Sequence, residues 1–463
     1  MIDIINTIND AVWGYFLMWV LVACGIWFTI RTKGVQFRMF GEMLRLLFDS
    51  ATTSKHKKHI SSFQAFAVSL ASRVGTGNLA GVATAIAVGG PGAVFWMWVM
   101  ALFGAATSFV ESTLAQLFKV RSTDSFVGGP AYYIRKGMNS KWMAVLFALL
   151  MVLTFGLTNN SVQTHTICSA MEKAFGWNHI LVGAILTALA LVIVFGGIQR
   201  IAHFSSIVVP FMALGYLILT LVIIFRNIEL IPQVFSIIID DAFGIRQVAG
   251  GGVGIAIMQG VRRGLFSNEA GEGSAPNAAA TADVTHPVKQ GLIQALGVFT
   301  DTLLVCSCTA FIIIISGLYT SGSNGVELTQ IALQAEIGNS GPVFIAVAIF
   351  LFAFSSVIGN YYYGEANIRY MTNSRVAMTV YRLFSGGVMV MFGALTTLNT
   401  VWSLVDICMA LLTICNLVAI TYLGKYTFRL LDDYRSQRKQ GKKDPVFHRS
   451  QFPEIQNSID VWE

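Results

Sequence analysis

Eleven runs of apolar residues, each long enough to cross the roughly 30 Å hydrocarbon layer of a bilayer, constrain this chain more than any other feature. They cover about Ala11–Ile30, Ser62–Val88, Gly92–Phe118, Trp142–Thr158, Ile180–Ile198 and Phe204–Phe225, then Val248–Leu265, Gln290–Leu318, Val343–Tyr363, Ala377–Leu395 and Val401–Leu423. In lipid a backbone must satisfy its own hydrogen bonds, so only helices or closed barrels span it. The strict alternation of a barrel strand is absent. The expected fold is therefore an all-α integral membrane protein with eleven transmembrane helices. Only 12% of residues are charged, against about 25% in soluble domains.

Lys and Arg set the expected orientation. With the N-terminus outside, 27 of the 31 fall in cytoplasmic stretches, counting Arg262 and Arg263 among them. Basic residues gather on the cytoplasmic side of membrane proteins, so the net charge of +7 reads as orientation and lipid-headgroup contact rather than a nucleic-acid footprint. Met1–Asp10 holds two aspartates and no Lys or Arg. A cleavable leader needs a basic start, so the first apolar run is expected to stay as a span. The six cysteines show neither metal-ligand spacing nor a disulfide framework.

Within the second run stands Ser72-Arg73-Val74-Gly75-Thr76-Gly77-Asn78-Leu79-Ala80-Gly81. A glycine costs about 1 kcal/mol in a helix interior, so Gly75 and Gly77 invite an unwound point. Such a break frees N–H groups at one new helix end and carbonyls at the other. Secondary transporters hold substrate and coupling ion in this way. The same glycines also suit a close helix crossing.

Setting the first span aside leaves ten that divide five and five, with opposite starting sides. The second five opens on Gly250-Gly251-Gly252 and a span carrying Gly260 and Gly264, which suggests a second interruption there. Paired interrupted helices point to a transporter's binding site. The domain reading is 1–61 for the extracellular N-terminus, first span and basic cytoplasmic loop, 62–424 for the ten-helix core, and 425–463 for a polar, partly disordered cytoplasmic tail. The alanine-rich stretch Leu265 to Ala282 reads as a cytoplasmic gate element beneath the bundle, with Glu269 and Glu272 within reach of Arg262 or Arg263. A passive connector is its alternative.

Four motifs then carry a resemblance: Val74-Gly75-Thr76-Gly77-Asn78-Leu79-Ala80-Gly81-Val82-Ala83, Gly89-Gly90-Pro91-Gly92-Ala93-Val94-Phe95-Trp96-Met97-Trp98, Gly128-Gly129-Pro130-Ala131-Tyr132-Tyr133 and Phe266-Ser267-Asn268-Glu269-Ala270-Gly271. The chain resembles the alanine or glycine:cation symporter family from the first span to about Leu423. The resemblance implies one N-terminal helix before a leucine-transporter-like 5+5 inverted repeat with two discontinuous helices. It implies that Thr76, Gly77 and Asn78 receive the substrate's carboxylate and ammonium, that Gly260 supplies a carbonyl or close backbone approach, and that Gln259 and Gln163 are further substrate candidates. Gln163 lies in a polar run that equally suits capping.

The resemblance further implies a sodium site made of the Ala71 and Val74 carbonyls with the Ser355 and Ser356 hydroxyls, Ser356 also bordering the substrate. Without it, the adjacent serines read as helix packing with back-bonding to the preceding turn. Many members place a tryptophan one turn after the second hydroxyl residue; this chain has Asn360. The exchange frees volume and adds donors and acceptors, so a larger or polar side chain such as that of glutamine is expected to fit. Arg73, Glu111, Asp301 and Asp406 are charges inside spans, where charges seek partners. Arg73 with Asp301 or Glu111 is the expected gating or structural pair, Glu269 joins the gate charges, and a proton relay through Asp301 is the alternative.

The function expected is a secondary active symporter of the cytoplasmic (inner) membrane, carrying sodium and a small neutral amino acid (alanine, glycine or glutamine) inward by alternating access. Sodium is cargo rather than a prosthetic group, and no nucleic-acid partner is expected. No P-loop is present, so the driving force must be an ion gradient. Proton coupling is the nearest alternative. An integral membrane enzyme lacks a motif among the dispersed histidines, and a channel has no need of paired broken helices.

Overall fold

A computed structural model describes residues 2–52, 60–122, 125–245 and 252–462. It is helical throughout, apart from a two-stranded ribbon pairing Val120–Arg121 with Phe126–Val127. Among the described residues eight helices are long and apolar enough to cross a membrane: Ile5–Arg31, Gly92–Leu117, Lys141–Phe175, Gly197–Arg226, Pro287–Ser316, Ser340–Met371, Arg375–Leu395 and Leu398–Lys439. Shorter helices fill the places between them, among them Ser62–Arg73, Gly77–Gly89, His179–Val194 and Gly252–Asn268. Gly250 and Gly251 lie outside the described residues.

Burial separates the centre of the bundle from its rim. In Pro287–Ser316 and Gly92–Leu117, 72% and 67% of the apolar window is covered by protein, against 28% in Gly197–Arg226. The last carries exposed Ile207, Phe211, Leu214, Ile218 and Phe225, an apolar face suited to lipid tails. The polar side chains of the interior therefore gather where Gly92–Leu117 and Pro287–Ser316 meet the two interrupted helices.

The first interruption falls where the glycines suggest. Helix Ser62–Arg73 starts on a capping box in which Ser61 Oγ accepts from the Gln64 amide and Gln64 Oε1 from the Ser61 amide, the reciprocal arrangement that satisfies two orphan donors. It ends at Val74, whose amide still donates to Leu70 O while its backbone turns away (φ −81°, ψ 88°). The chain resumes as a wide π-helical turn over Gly77–Gly81 and then Val82–Gly89.

The second interruption does not fall at Gly260 or Gly264. Helix Gly252–Asn268 runs unbroken through both. A Cβ on Gly260 would stand 2.5 Å from Ala93 O and 2.6 Å from Trp96 Cβ, so this glycine serves a close crossing with Gly92–Leu117. The break comes after Asn268, where Glu269 (φ 57°), Gly271 (φ 98°) and Gly273 (φ 81°) take left-handed conformations. Helix Ala275–Ala279 follows. Left-handed backbone costs glycine nothing sterically, so Gly271 and Gly273 code this turn. The stretch read as a gate element packed beneath the bundle is buried from Ala275 to Ala282, where Gln116 Nε2 donates to Ala279 O and Ala282 O and Lys119 Nζ donates to Ala282 O.

The tail also differs from expectation. Helix Leu398–Lys439 runs straight through position 424. Beyond it Phe447, Phe452, Ile459 and Trp462 are buried. Phe447 donates its amide to Thr285 O, Trp462 its indole N–H to Gln116 O, and Lys289 meets Asp444 at 2.8 Å. Apolar residues spaced through a polar sequence gave no periodic signal, and their docking surface is formed by distant segments.

Candidate functional site

The two interruptions touch. A Cβ on Gly77 would lie 3.0 Å from Ser267 Cα and 3.2 Å from Phe266 Cδ1, so the first break packs directly on the last turn of Gly252–Asn268. Ser72 Oγ lies 2.5 Å from Glu269 Oε1 and 2.6 Å from Asn360 Oδ1. A hydroxyl has one proton to give, while Asn360 Nδ2 has no partner. Turning the Asn360 amide over lets Nδ2 donate to Ser72 and Ser72 donate to Glu269, so that each short contact has one donor and one acceptor. The other Glu269 oxygen accepts from Ser274 Oγ at 2.6 Å.

At the first break the freed amides point at side-chain oxygens. Thr76 N donates to Gln163 Oε1 at 2.9 Å, and Gly75 N to Asn78 Oδ1 at 2.9 Å. These are the positive-end donors of a helix N-terminus, which favour negative charge. Gln163 is held by its own Nε2, which donates to Asn159 Oδ1 at 2.9 Å. Asn78 Nδ2 reaches Asp301 Oδ1 at 2.7 Å, and Ser267 Oγ reaches Asp301 Oδ2 at 2.8 Å. Asp301 thus ties the two interrupted helices together from the π-helical turn Phe299–Cys306. Thr76, Asn78, Gln163 and Asp301 are all buried, and Thr76 Oγ1 has no hydrogen-bond partner.

On the other side of Gly75 lie freed carbonyls. Ser356 Oγ stands 2.8 Å from Ala71 O, 3.4 Å from Val74 O and 3.1 Å from Phe352 O. Ser355 Oγ is 3.5 Å from Ala71 O and 2.8 Å from Phe352 O. Three carbonyls around a hydroxyl with a single proton leave a surplus of lone pairs. Hard oxygen donors without thiolate or imidazole suit a hard, weakly bound cation. Gly75 is the wall between the two sides: a Cβ there would fall 2.1 Å from Ser356 Oγ and 2.8 Å from Gln163 Oε1.

The intramembrane charges pair otherwise than expected. Arg73 meets neither Asp301 nor Glu111; it donates to Gln294 O and Ser108 Oγ, both at 3.1 Å. Glu111 accepts from the amides of Gly271 (3.3 Å) and Gly273 (3.1 Å) and from Asn416 Nδ2 (2.9 Å), so it caps the second break. Arg262 and Arg263 meet Asp406 at 3.1 and 2.8 Å rather than Glu269 or Glu272. Arg262 also reaches Asp10 at 3.5 Å, which places this pair beside the N-terminal helix. Gln259 and Gly260 lie on that side too, away from the breaks.

Ser72, Ser267 and Asn416 were not singled out from sequence, and Glu111 was singled out for another role. One signal was available: Gly271-Glu272-Gly273 repeats the spacing of Gly75-Thr76-Gly77.

The sequence profile of the sodium:alanine symporter family matches residues 1–449. Among similar chains, one named "Probable sodium/glutamine symporter GlnT" from Bacillus subtilis is 50% identical, over 99% of this chain and 95% of that one. Amino-acid carrier protein AlsT of the same bacterium is 49% identical, over 100% and 97%. Sodium/alanine symporter AgcS of Methanococcus maripaludis is 36% identical, over 96% and 99%. A crystal structure of a mutant manganese transporter from Eremococcus coleocola superposes with a TM-score of 0.52 at 13% identity, covering 88% of this chain and 93% of that one. That likeness speaks for a membrane-transporter fold alone.

Proposed function

The chain belongs to the sodium:alanine symporter family, and from that premise we propose that its two helix breaks form one carrier site for a zwitterion and a sodium ion. Membership makes it a multi-pass membrane protein that couples sodium to amino-acid transport, and no enzyme. The Ala71 and Val74 carbonyls and the Ser355 and Ser356 hydroxyls take the cation. The Gly75 and Thr76 amides, with Gly77, Asn78 and Gln163, take the substrate carboxylate and ammonium. The observation that carries this reading is the crowd of carbonyls on Ser356, one residue's width from the Gly75 and Thr76 amides, which the Asn78 and Gln163 side chains occupy where a carboxylate would bind. Cation and carboxylate then share a dry pocket of low dielectric, where their attraction is worth far more than in water.

The topology proposed with it has eleven spans. The eight long helices are joined by the interrupted pair and by His179–Val194. After the first span, the order of segments repeats: interrupted, two of at least 26 residues, a shorter one, then one of at least 30 in 62–226, and again in 252–439 with Arg375–Leu395 (21 residues) in the place of His179–Val194. This supports a 5+5 inverted repeat over 62–424, with 1–61 before it and 425–463 as the cytoplasmic tail. The N-terminus then faces outward and the membrane is the cytoplasmic one. A membrane potential adds about 2.3 kcal/mol per charge per 100 mV, enough to concentrate a zwitterion some fiftyfold when one cation accompanies it.

Purified protein in liposomes tests the reading. An inward sodium gradient is expected to drive labelled alanine uptake, and a pH step alone is not. Uptake driven by the pH step and indifferent to sodium would overturn it in favour of proton coupling. Asn360 stands near Ser72 and Glu269 at the meeting of the breaks, and its amide is smaller than an indole and carries donors and an acceptor. Asn360→Trp is expected to cut glutamine uptake about tenfold relative to alanine, the scale of a filled pocket. A glutamine-to-alanine ratio unchanged by the substitution would rule Asn360 out as the selectivity determinant.

A further inference from the structure

Beyond helix Leu398–Lys439, residues 440–462 form no regular structure but the short turns Arg449–Gln451 and Gln456–Ser458. Phe447, Phe452, Ile455, Ile459 and Trp462 are nevertheless buried, spaced among exposed polar neighbours. The rings pack on one another, with the Phe447 centroid 5.6 Å from that of Phe452 and 5.5 Å from that of Trp462.

The segment they cover joins the second break to helix Pro287–Ser316. Phe447 donates its amide to Thr285 O at 3.0 Å, and Thr285 Oγ1 donates back to Pro445 O at 2.8 Å. His286 stands edge-on to Phe447 and Tyr434, with its Nε2 3.1 Å from Asp433 Oδ2. Lys289 pairs with Asp444 at 2.8 Å. At the far end Trp462 donates to Gln116 O at 3.0 Å and lies over the Lys119 ammonium, 4.8 Å from the ring centroid. Lys119 in turn donates to Ala282 O at 2.8 Å, and Gln116 Nε2 donates to the same oxygen at 3.1 Å. The tail thus closes over 282–289 from both ends and ties it to the ends of Gly92–Leu117 and Leu398–Lys439.

Residues 282–289 tether helix Ala275–Ala279, the continuation of the second interrupted helix. A carrier opens to each side in turn by rocking one set of elements against the other, so opening on this face moves 275–289 relative to Gly92–Leu117. A tail clasped to both opposes that movement. Its hold is of a reversible kind. The ion pairs with Lys289, Lys136 and Arg429 leave Asp444, Asp460 and Glu454 exposed, and exposed pairs add little. The few buried anchors are set against the entropy of ordering the whole segment, as in the elements that open locally without global unfolding. None of these contacts is with the groups around Gly75 and Ser356.

We propose that residues 440–462 are an autoinhibitory strap that holds the carrier shut on the face of 282–289 and lifts when that face opens. The proposal rests on the carrier reading above, in which this is the cytoplasmic face. The docked strap lowers the fraction of chains that can open inward and leaves the substrate contacts as they are.

The test uses the full-length chain in liposomes with Lys289→Cys and Asp444→Cys, positions whose side chains meet in the parent. A short bis-methanethiosulfonate reagent joins the two thiols and a reductant parts them; the parent treated in the same way corrects for its native cysteines. Joining is expected to lower sodium-driven alanine uptake by at least about tenfold, and the reductant to restore it. Trp462→Ala with Phe452→Ala removes two anchors and is expected to raise the initial rate about three- to tenfold. Uptake unchanged by the cross-link overturns the strap, since a tail that never lifts is unaffected by being fixed in place, and leaves the carrier reading standing. A rate that stays or falls in the anchor variant, recovered as folded protein, also overturns it and makes the tail a static support. A parent without sodium-driven uptake overturns the carrier reading and the strap with it. The joined and parted forms are one polypeptide, so their comparison decides the matter if the anchor variant fails to fold.

Discussion

Gly75→Ala is expected to lower sodium-driven alanine uptake about a hundredfold without removing the protein from the membrane. The added methyl arrives 2.1 Å from Ser356 Oγ and 2.8 Å from Gln163 Oε1, well inside van der Waals contact with both. Neither side chain has somewhere to go. Ser356 is held among three carbonyls, and Gln163 between Thr76 N and Asn159. Overpacking a tight interior costs about 1–3 kcal/mol, and here the displacement falls on the ion side and the substrate side at once. The backbone of the break should survive, because Gly75 has no positive φ for an alanine to strain. Uptake in liposomes, set beside the amount of monodisperse protein recovered, separates the two effects. Parent-like uptake by Gly75→Ala would mean that this gap holds neither ligand.

Ser356→Ala is expected to raise the sodium concentration for half-maximal uptake by about ten- to a hundredfold, with a smaller change in the apparent affinity for alanine at saturating sodium. A hydrogen bond or ligand to a charged group is worth about 1.5–3 kcal/mol, which corresponds to that range. Ser355→Ala should cost less, since Ser355 Oγ is 3.5 Å from Ala71 O and its nearer partner is Phe352 O in its own helix. The ordering of the two serines is the informative part. Sodium titrations of uptake at fixed alanine give it directly, and equal or reversed effects would move the cation away from Ser356. Both substitutions remove a hydroxyl from a buried wall, so a shared loss of stability shows in the melting temperature and not in the ordering.

The network around the second break explains why the intramembrane carboxylates are tolerated. Glu111 receives three donors, Asp301 accepts from Asn78, Ser267 and Thr302, and Glu269 has Ser72 and Ser274. Backbone amides and hydroxyls stand where counter-charges were expected. Freed N–H groups at a helix break are strong partners for a carboxylate, and using them leaves Arg73 to bind a carbonyl and a hydroxyl instead.

By itself the sequence determined the membrane-embedded helical class, the first break and the polar groups on either side of it. These are local properties: an apolar run needs no partner to prefer lipid, and Gly75 with Gly77 weakens a helix whatever surrounds it. Only the tertiary structure decided where the second break lies and which charges meet. Gly260 looks like Gly75 in sequence, yet it keeps its helix intact because Ala93 O and Trp96 press against it. The stretch from Glu269 to Ser274 carries no break signal as plain as Gly75 and Gly77, yet it turns there because Glu111 and Asn416 reach across from other helices to the Gly271 and Gly273 backbone. A glycine's role and a buried charge's partner depend on what another segment brings within 3 Å, and no reading of neighbours along the chain contains that distance.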